Sequence, residues 1–219
     1  MIDLHTHTLF SDGELLPAEL VRRAEDLGHR GIALTDHVDS SNLEFVLPRL
    51  LQAARDLNRH QGVKVLAGVE FTHLPPAMFA ELVPRARELG AQIIVAHGET
   101  LAEPVQPGTN RAALEAGVDI LAHPGLISAE DAELAAERGI LLEISARKGH
   151  CLANGLVARR ALAAGAGLVI NTDSHAPGDL IDQEKARRVG LGAGLTPPQV
   201  QDCFANSEAL LERAFLPPA

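Results

Sequence analysis

Short apolar runs alternate along the whole chain with longer stretches in which apolar positions recur every three or four residues. The runs fall at residues 1–4, 32–34, 63–69, 92–96, 119–122, 140–144 and 168–171. Each has the length and the Ile, Val and Leu content of a strand. Helical patterning fills the gaps. Pro17 opens a helix over 18–27 that Gly28 closes, as the preferences for Pro at a helix start and Gly past its end predict. Further helices are predicted over 42–59, over 76–89 with a kink or split at Pro84, and over 111–116 before Gly117. Ser128 caps a helix running to Arg138, and Gly165 ends another over 154–164. The tail reads as helix over 183–189 and again over 197–211, with a break near Asn206.

Seven strands separated by helices imply βα units and a largely parallel sheet. An open doubly wound sheet and a closed barrel both satisfy the pattern. No G-x-G-x-x-G follows the first strand, which removes the main pointer to dinucleotide binding. No linker, repeat or low-complexity segment divides the chain, so residues 1–219 are expected to form one domain.

Hydrophobic residues make up 46% and charged residues 22% of the 219, the balance of a chain with a sizeable core. Net charge is -10, and Trp and Tyr are absent. A phosphate backbone would be repelled, and few aromatics are available for base stacking, so nucleic acid is not the expected partner. No apolar run approaches the roughly 20 residues that span a bilayer. Cys151 and Cys203 are too few and too far apart for a disulfide framework. They read as reduced thiols, and the chain starts directly in a strand-like segment with no visible signal peptide. A cytoplasmic protein is expected.

The histidines are placed less evenly. Six of the ten directly follow a predicted strand: His5 and His7 the first, His37 the second, His97 the fourth, His123 the fifth and His175 the seventh. The third strand ends in Glu70. Parallel α/β folds bring all strand C-termini to one face or edge, so these side chains should converge. A buried cluster of imidazoles and carboxylates needs cations to hold it together. Nitrogen and oxygen donors of this kind suit zinc, manganese or iron. His29, His60 and His73 lie at helix ends or in loops and read as surface residues.

The sixth strand ends without a ligand and runs into Ser145-Ala146-Arg147-Lys148-Gly149-His150. Arg147, Lys148 and His150 should stand at the same rim. Arg makes bidentate contacts to phosphate and Lys adds a point charge, so this loop is the expected substrate-binding element.

Taken in order, the segments Asp3-Leu4-His5-Thr6-His7-Thr8 with Ser11-Asp12-Gly13, Thr35-Asp36-His37, Gly68-Val69-Glu70, Ala96-His97-Gly98, Ala122-His123-Pro124 and Asn171-Thr172-Asp173-Ser174-His175 resemble the PHP family, the polymerase and histidinol phosphatase domain. The resemblance covers residues 3 to 175 and implies a distorted (β/α)7 TIM-like barrel, with the active site at the C-terminal face of the strands. It implies two or three divalent metal ions, zinc, manganese or iron. His5, His7, Glu70 and Asp173 would hold one ion. Glu70 would bridge to a second, completed by His97 and His123. Asp12, His37 and His175 would hold the third. Some family members carry histidine where Asp12 stands. The activity implied is hydrolysis of a small phosphomonoester by metal-activated hydroxide attack on phosphorus, with Glu70, Asp173, Arg147 and His150 as the catalytic group. Asp3, Asp36 and Glu99 are expected to orient imidazoles from behind. The competing expectations are an amidohydrolase-like or TatD-like metal hydrolase, a nuclease, or a non-catalytic PHP module. The sequence does not give an oligomeric state.

Overall fold

A strand buried on both faces must satisfy its backbone through neighbouring strands and cover each face with apolar side chains. The computed structural model describes residues 1–216 and meets both demands with a parallel barrel wrapped by helices. In chain order the elements are β1 (Ile2–Thr6), α1 (Pro17–Asp26), β2 (Gly31–Leu34), β3 (His37–Val38), α2 (Leu43–His60), β4 (Lys64–Phe71), α3 (Phe79–Glu88), β5 (Ile93–His97), α4 (Thr109–Ala116), β6 (Ile120–Ala122), α5 (Ala129–Arg138), β7 (Leu141–Ser145), α6 (Asn154–Ala164), β8 (Leu168–Asn171), α7 (Gln183–Gly192) and α8 (Pro197–Phe215).

Seven of the strands pair in the order β1-β2-β4-β5-β6-β7-β8, all parallel. The order never reverses, so there is no switch point of the doubly wound kind. The sheet instead curls until its edges meet. At the seam His7 N donates to the Ser174 carbonyl at 2.9 Å and Asp173 N to the His5 carbonyl at 3.0 Å. Of the two architectures compatible with the sequence, the nearly closed barrel is the one formed. The two-residue β3 lies off this path and pairs only with β4, His37 opposite Glu70.

Alternation along each strand separates two cores. Val65, Ala67, Val69 and Phe71 of β4 face outward to the helices. Ile2, Leu4, Ala33, Leu66, Ile93, Val95, Ile120, Ala122 and Val169 fill the barrel, and Leu210 and Leu211 of α8 plug its lower end. Gly68 continues the inward-facing positions of β4. A Cβ there would run into the backbone carbonyl of Ile93, so glycine is what allows β4 and β5 to pair so closely.

Two local expectations are corrected. Pro84 does not split its helix. A short 3-10 turn over Pro76–Met78 leads into α3, which continues through Pro84. Pro84 and Ala80 are both exposed, so the carbonyl that loses its partner faces solvent. Nor is α8 broken at Asn206. Its Nδ2 donates to the Leu168 carbonyl at 2.9 Å, which satisfies the side chain against the sheet. Ser128 caps α5 as expected, accepting from Asp131 N at 3.0 Å.

Candidate metal centre

The inward-facing rows of the strands turn polar toward their C-terminal ends. On β4 the row runs Leu66, Gly68, Glu70; on β5 Ile93, Val95, His97; on β8 Val169, Asn171, then Asp173. β1 needs an extra device. Its register against β2 shifts between Asp3 and Thr6, and across this irregularity the consecutive residues Leu4 and His5 both reach the interior. Leu4 joins the apolar layer and His5 the polar layer above it.

All nine sequence-predicted ligands meet there, and four groupings of their atoms are close enough to share an ion: His5, His7 and Glu70; His5, His123 and Asp173; His7, Asp12, His37 and His175; and His97 and His123, which His150 joins. His5 Nε2 lies 3.3 Å from Glu70 Oε1 and 3.7 Å from Asp173 Oδ1. His7 Nε2 is 3.2 Å from Asp173 Oδ1. His123 Nε2 is 3.6 Å from both carboxylates. Asp12 Oδ1 lies 3.3 Å from His37 and 3.1 Å from His175, and its side chain is 59% exposed, so this corner opens to solvent.

The residues fit a cluster of cations. His5 Nε2, both ring nitrogens of His7, His123 Nδ1, Glu70 Oε1 and Asp173 Oδ1 are buried without a hydrogen-bond partner. Orphaned polar atoms at this density are not tolerated in an ordinary core. Donors about 2.1 Å from a shared zinc ion stand roughly 3.0–3.4 Å apart, close to the separations found here. His123 and Asp173 hold left-handed backbone, φ 30° and 52°. Such strain in non-glycine residues is typical of functional positions.

Charge is finely balanced. Burial pushes His5 down, yet Glu70, Glu143 and Asp173 hold it well above its ordinary pKa. Burial and the neighbouring His37 push His7 well below. Burial opposes ionisation of Glu70, but His5 and His37 keep its carboxyl well below the usual range. Burial raises Asp173. His150 is lowered to about 3 by burial and by His123.

Three carboxylates expected to orient imidazoles do something else. Asp3 accepts from Thr172 Oγ1 at 2.6 Å and Thr172 N at 3.2 Å, tying β1 to the exit of β8. Asp36 accepts from Thr8 N at 2.8 Å and Ser11 Oγ at 2.8 Å, fixing the loop that carries Asp12. Glu99 accepts from Gly108 N and Asn110 N at the start of α4. The imidazole-orienting carboxylate is Glu143 on β7, which sequence reasoning missed. Its Oε2 is 2.8 Å from His5 Nδ1 and accepts from Asn171 Nδ2 at 3.0 Å, fully buried. The signal was available: a lone carboxylate in the apolar run Leu141-Leu142-Glu143-Ile144. His29 is also corrected. It is buried, with Nε2 2.8 Å from the Ile181 carbonyl. His73 is exposed but lies beside the centre.

Above the cluster is a cavity of 190 Å³ whose walls include Asp12, His37, His97, Arg147, His150 and His175. Arg147 Nη1 donates to the Asp173 carbonyl at 2.8 Å and touches His175 Nδ1. His150 lies in the wall, with Nδ1 2.9 Å from Thr100 Oγ1. Lys148 is exposed and does not line the cavity.

Comparison with known proteins matches residues 3–98 to the PHP domain. An uncharacterized protein of Methanocaldococcus jannaschii is 50% identical over 214 residues, 96% of this chain and 98% of its own length. This chain belongs to the PHP domain family. The fold of this PHP domain recurs in a histidinol phosphate phosphatase of Lactococcus lactis, solved with zinc, L-histidinol and phosphate, at TM-score 0.60 and 17% identity over 99% of this chain and 94% of that one. It recurs also in a chain of an archaeal ribonuclease P solved with mature tRNA, at TM-score 0.72 and 17% identity over 96% and 90%. The candidate ligands of the PHP domain lie both inside the matched segment, from His5 to His97, and beyond it, from His123 to His175.

Proposed function

We propose that this protein is a metal-dependent phosphoesterase acting on a small phosphomonoester. The observation that carries the reading is the set of buried, unpartnered nitrogen and carboxylate atoms facing one another beneath a cavity with an arginine in its wall. His5, His7, Glu70 and Asp173 would hold one ion, Glu70, His97 and His123 a second, and Asp12, His37 and His175 a third. Bound divalent ions would neutralise phosphoryl charge and make a water nucleophilic near neutral pH. The chain supplies the rest. Arg147 presents a guanidinium where a phosphate would enter, a fork that suits two phosphoryl oxygens at once. Asp173 and the seam of β1 with β8 hold that guanidinium in place. His150 lines the cavity, and its ring, whose pKa burial lowers, would offer a hydrogen bond to the substrate. Lys148, out on the surface, adds a diffuse positive charge to the approach.

The cavity is lined by imidazoles, carboxylates and one guanidinium, a polar lining that suits a phosphoryl group. The histidinol phosphate phosphatase of L. lactis shares the fold and binds phosphate with zinc, which supports the reaction class. A nucleic-acid reading has behind it the fold shared with a ribonuclease P chain and a 71-residue match, at 34% and 38% identity, to two PolC-type DNA polymerases III. The net charge of -10 and the absence of Trp and Tyr weigh against it.

The test is a phosphatase screen over a panel of small phosphomonoesters, on protein of measured metal content. The expected result is chelator-sensitive release of phosphate from at least one of them. On that substrate Arg147→Ala should lose about 1.5–3 kcal/mol of binding to a charged group. That is roughly a tenfold to hundredfold fall in kcat/KM. Hydrolysis that survives complete chelation, or Arg147→Ala within about twofold of wild type, would remove the reading.

A further inference from the structure

The loop between β5 and α4 carries a carboxylate that the nine predicted ligands do not include. Glu103 Oε2 lies 3.0 Å from His97 Nε2 and 3.1 Å from His73 Nε2, and its Oε1 is 3.5 Å from His150 Nε2. Three imidazoles from three strand exits, those of β4, β5 and β7, thus close on one carboxylate. The loop is built to keep it there. Glu99 accepts from Gly108 N and Asn110 N, and Asn110 in turn accepts from Glu99 N and donates to the Pro124 carbonyl. His73 reaches the site from left-handed backbone, φ 51°.

The spacing of these contacts suits a shared cation. His97 Nδ1 is 3.1 Å from the Gly98 carbonyl, which accepts a hydrogen there and leaves the Nε2 lone pair facing Glu103. A lone pair and a carboxylate oxygen at 3.0 Å repel each other unless a proton or a metal ion lies between. Ligands about 2.1 Å from one ion stand roughly 3.0–3.4 Å apart, which matches both imidazole contacts of Oε2. The donor atoms of His73, His97 and Glu103 all lie within 4.8 Å of one another.

We propose that His73, His97 and Glu103 form a further divalent-cation position at the cavity rim, selective for an ion that accepts mixed imidazole and carboxylate donors, such as zinc. The ring of His97 offers only Nε2, so this rim position and the buried position made with His123 compete for one nitrogen. One ion therefore has an outer and an inner place, and the outer one is in contact with solvent through His73 and Glu103, whose side chains are 44% and 39% exposed. The proposal rests on the metal-centre reading above.

The test compares wild-type protein with Glu103→Gln and His73→Asn, each stripped by chelator and titrated with zinc alone by calorimetry. Both variants remove surface-exposed groups, and equal thermal midpoints in the metal-free state would show that all three chains fold. The expected result is that each variant weakens one zinc-binding event by about tenfold or more and leaves the others as in wild type, the size seen when a supporting ligand is lost. Cobalt(II) in place of zinc should show a changed visible spectrum in the same variants. If both variants titrate as wild type, the rim contacts are hydrogen bonds only and this proposal is overturned while the metal centre stands. If wild type binds no zinc, the metal-centre reading and the rim position fall together. If a variant loses every ion at once, the loop merely supports the centre and the rim position is again overturned.

Discussion

At the scale of single residues, Glu143 shows how a side chain outside the candidate ligand set orients one inside it. Its carboxylate holds His5 Nδ1 and so aims Nε2 at Glu70 and Asp173. A carboxylate behind a metal-binding histidine fixes the tautomer and ring orientation, and losing one typically lowers metal affinity 10–100-fold. Glu143→Ala should show a loss of that size. Glu143→Gln should recover much of it, because its amide oxygen can still accept from Nδ1–H. A zinc titration distinguishes the two, and equal affinity in Glu143→Ala and wild type would contradict the role. Asp173 and His123 add a backbone cost at the same site, since both sit at positive φ. That strain has a counterpart in Gly125, which follows His123 at φ 60°, where a Cβ would run into the Glu99 carbonyl.

At the scale of elements, the site is the upper end of a set of strands whose lower halves are apolar. The pairing of β4 with β5 sets Glu70 opposite Val95, two positions before His97, so both polar groups fall at the C-terminal end of the pair, and Gly68 makes that pairing close. Gly68→Ala should overpack the junction at a cost of about 1–3 kcal/mol. The urea midpoint of the metal-free protein should fall accordingly, and an unchanged midpoint would show that β4 and β5 can part at no cost. Element boundaries were largely legible because period and punctuation agree: Pro17, Ser128 and Gly165 stand where helices begin and end. The two-residue β3 was not legible. His37 and Val38 carry no pattern of their own and become a strand only because β4 extends past Leu34. Pro84 and Asn206 misled for the same reason in reverse. Local preference was overridden by solvent exposure in one case and by a long-range bond to Leu168 in the other.

At the scale of the whole molecule, a barrel turns scattered sequence positions into neighbours. His5 and His175 are separated by most of the chain yet share a site because β8 meets β1. The convergence of the strand-end histidines was therefore readable as soon as the parallel alternation was. The contributions of Glu143, His29 and Glu103 were not read. Glu143 acts within the barrel, His29 is buried by a segment 152 positions away, and Glu103 lies in a loop without periodicity. Among the described residues no helix is long and apolar enough to cross a membrane. Both cysteines are free. Whether the polar end of this barrel holds metal is decided by elemental analysis. Protein reconstituted with zinc, manganese or iron and freed of excess metal should hold two or three ions per chain. Its thermal midpoint should rise above that of the stripped form, since an ion at about 100 times its Kd adds roughly 2.7 kcal/mol. Less than one ion per chain after reconstitution with all three metals, at an unchanged midpoint, would contradict the account.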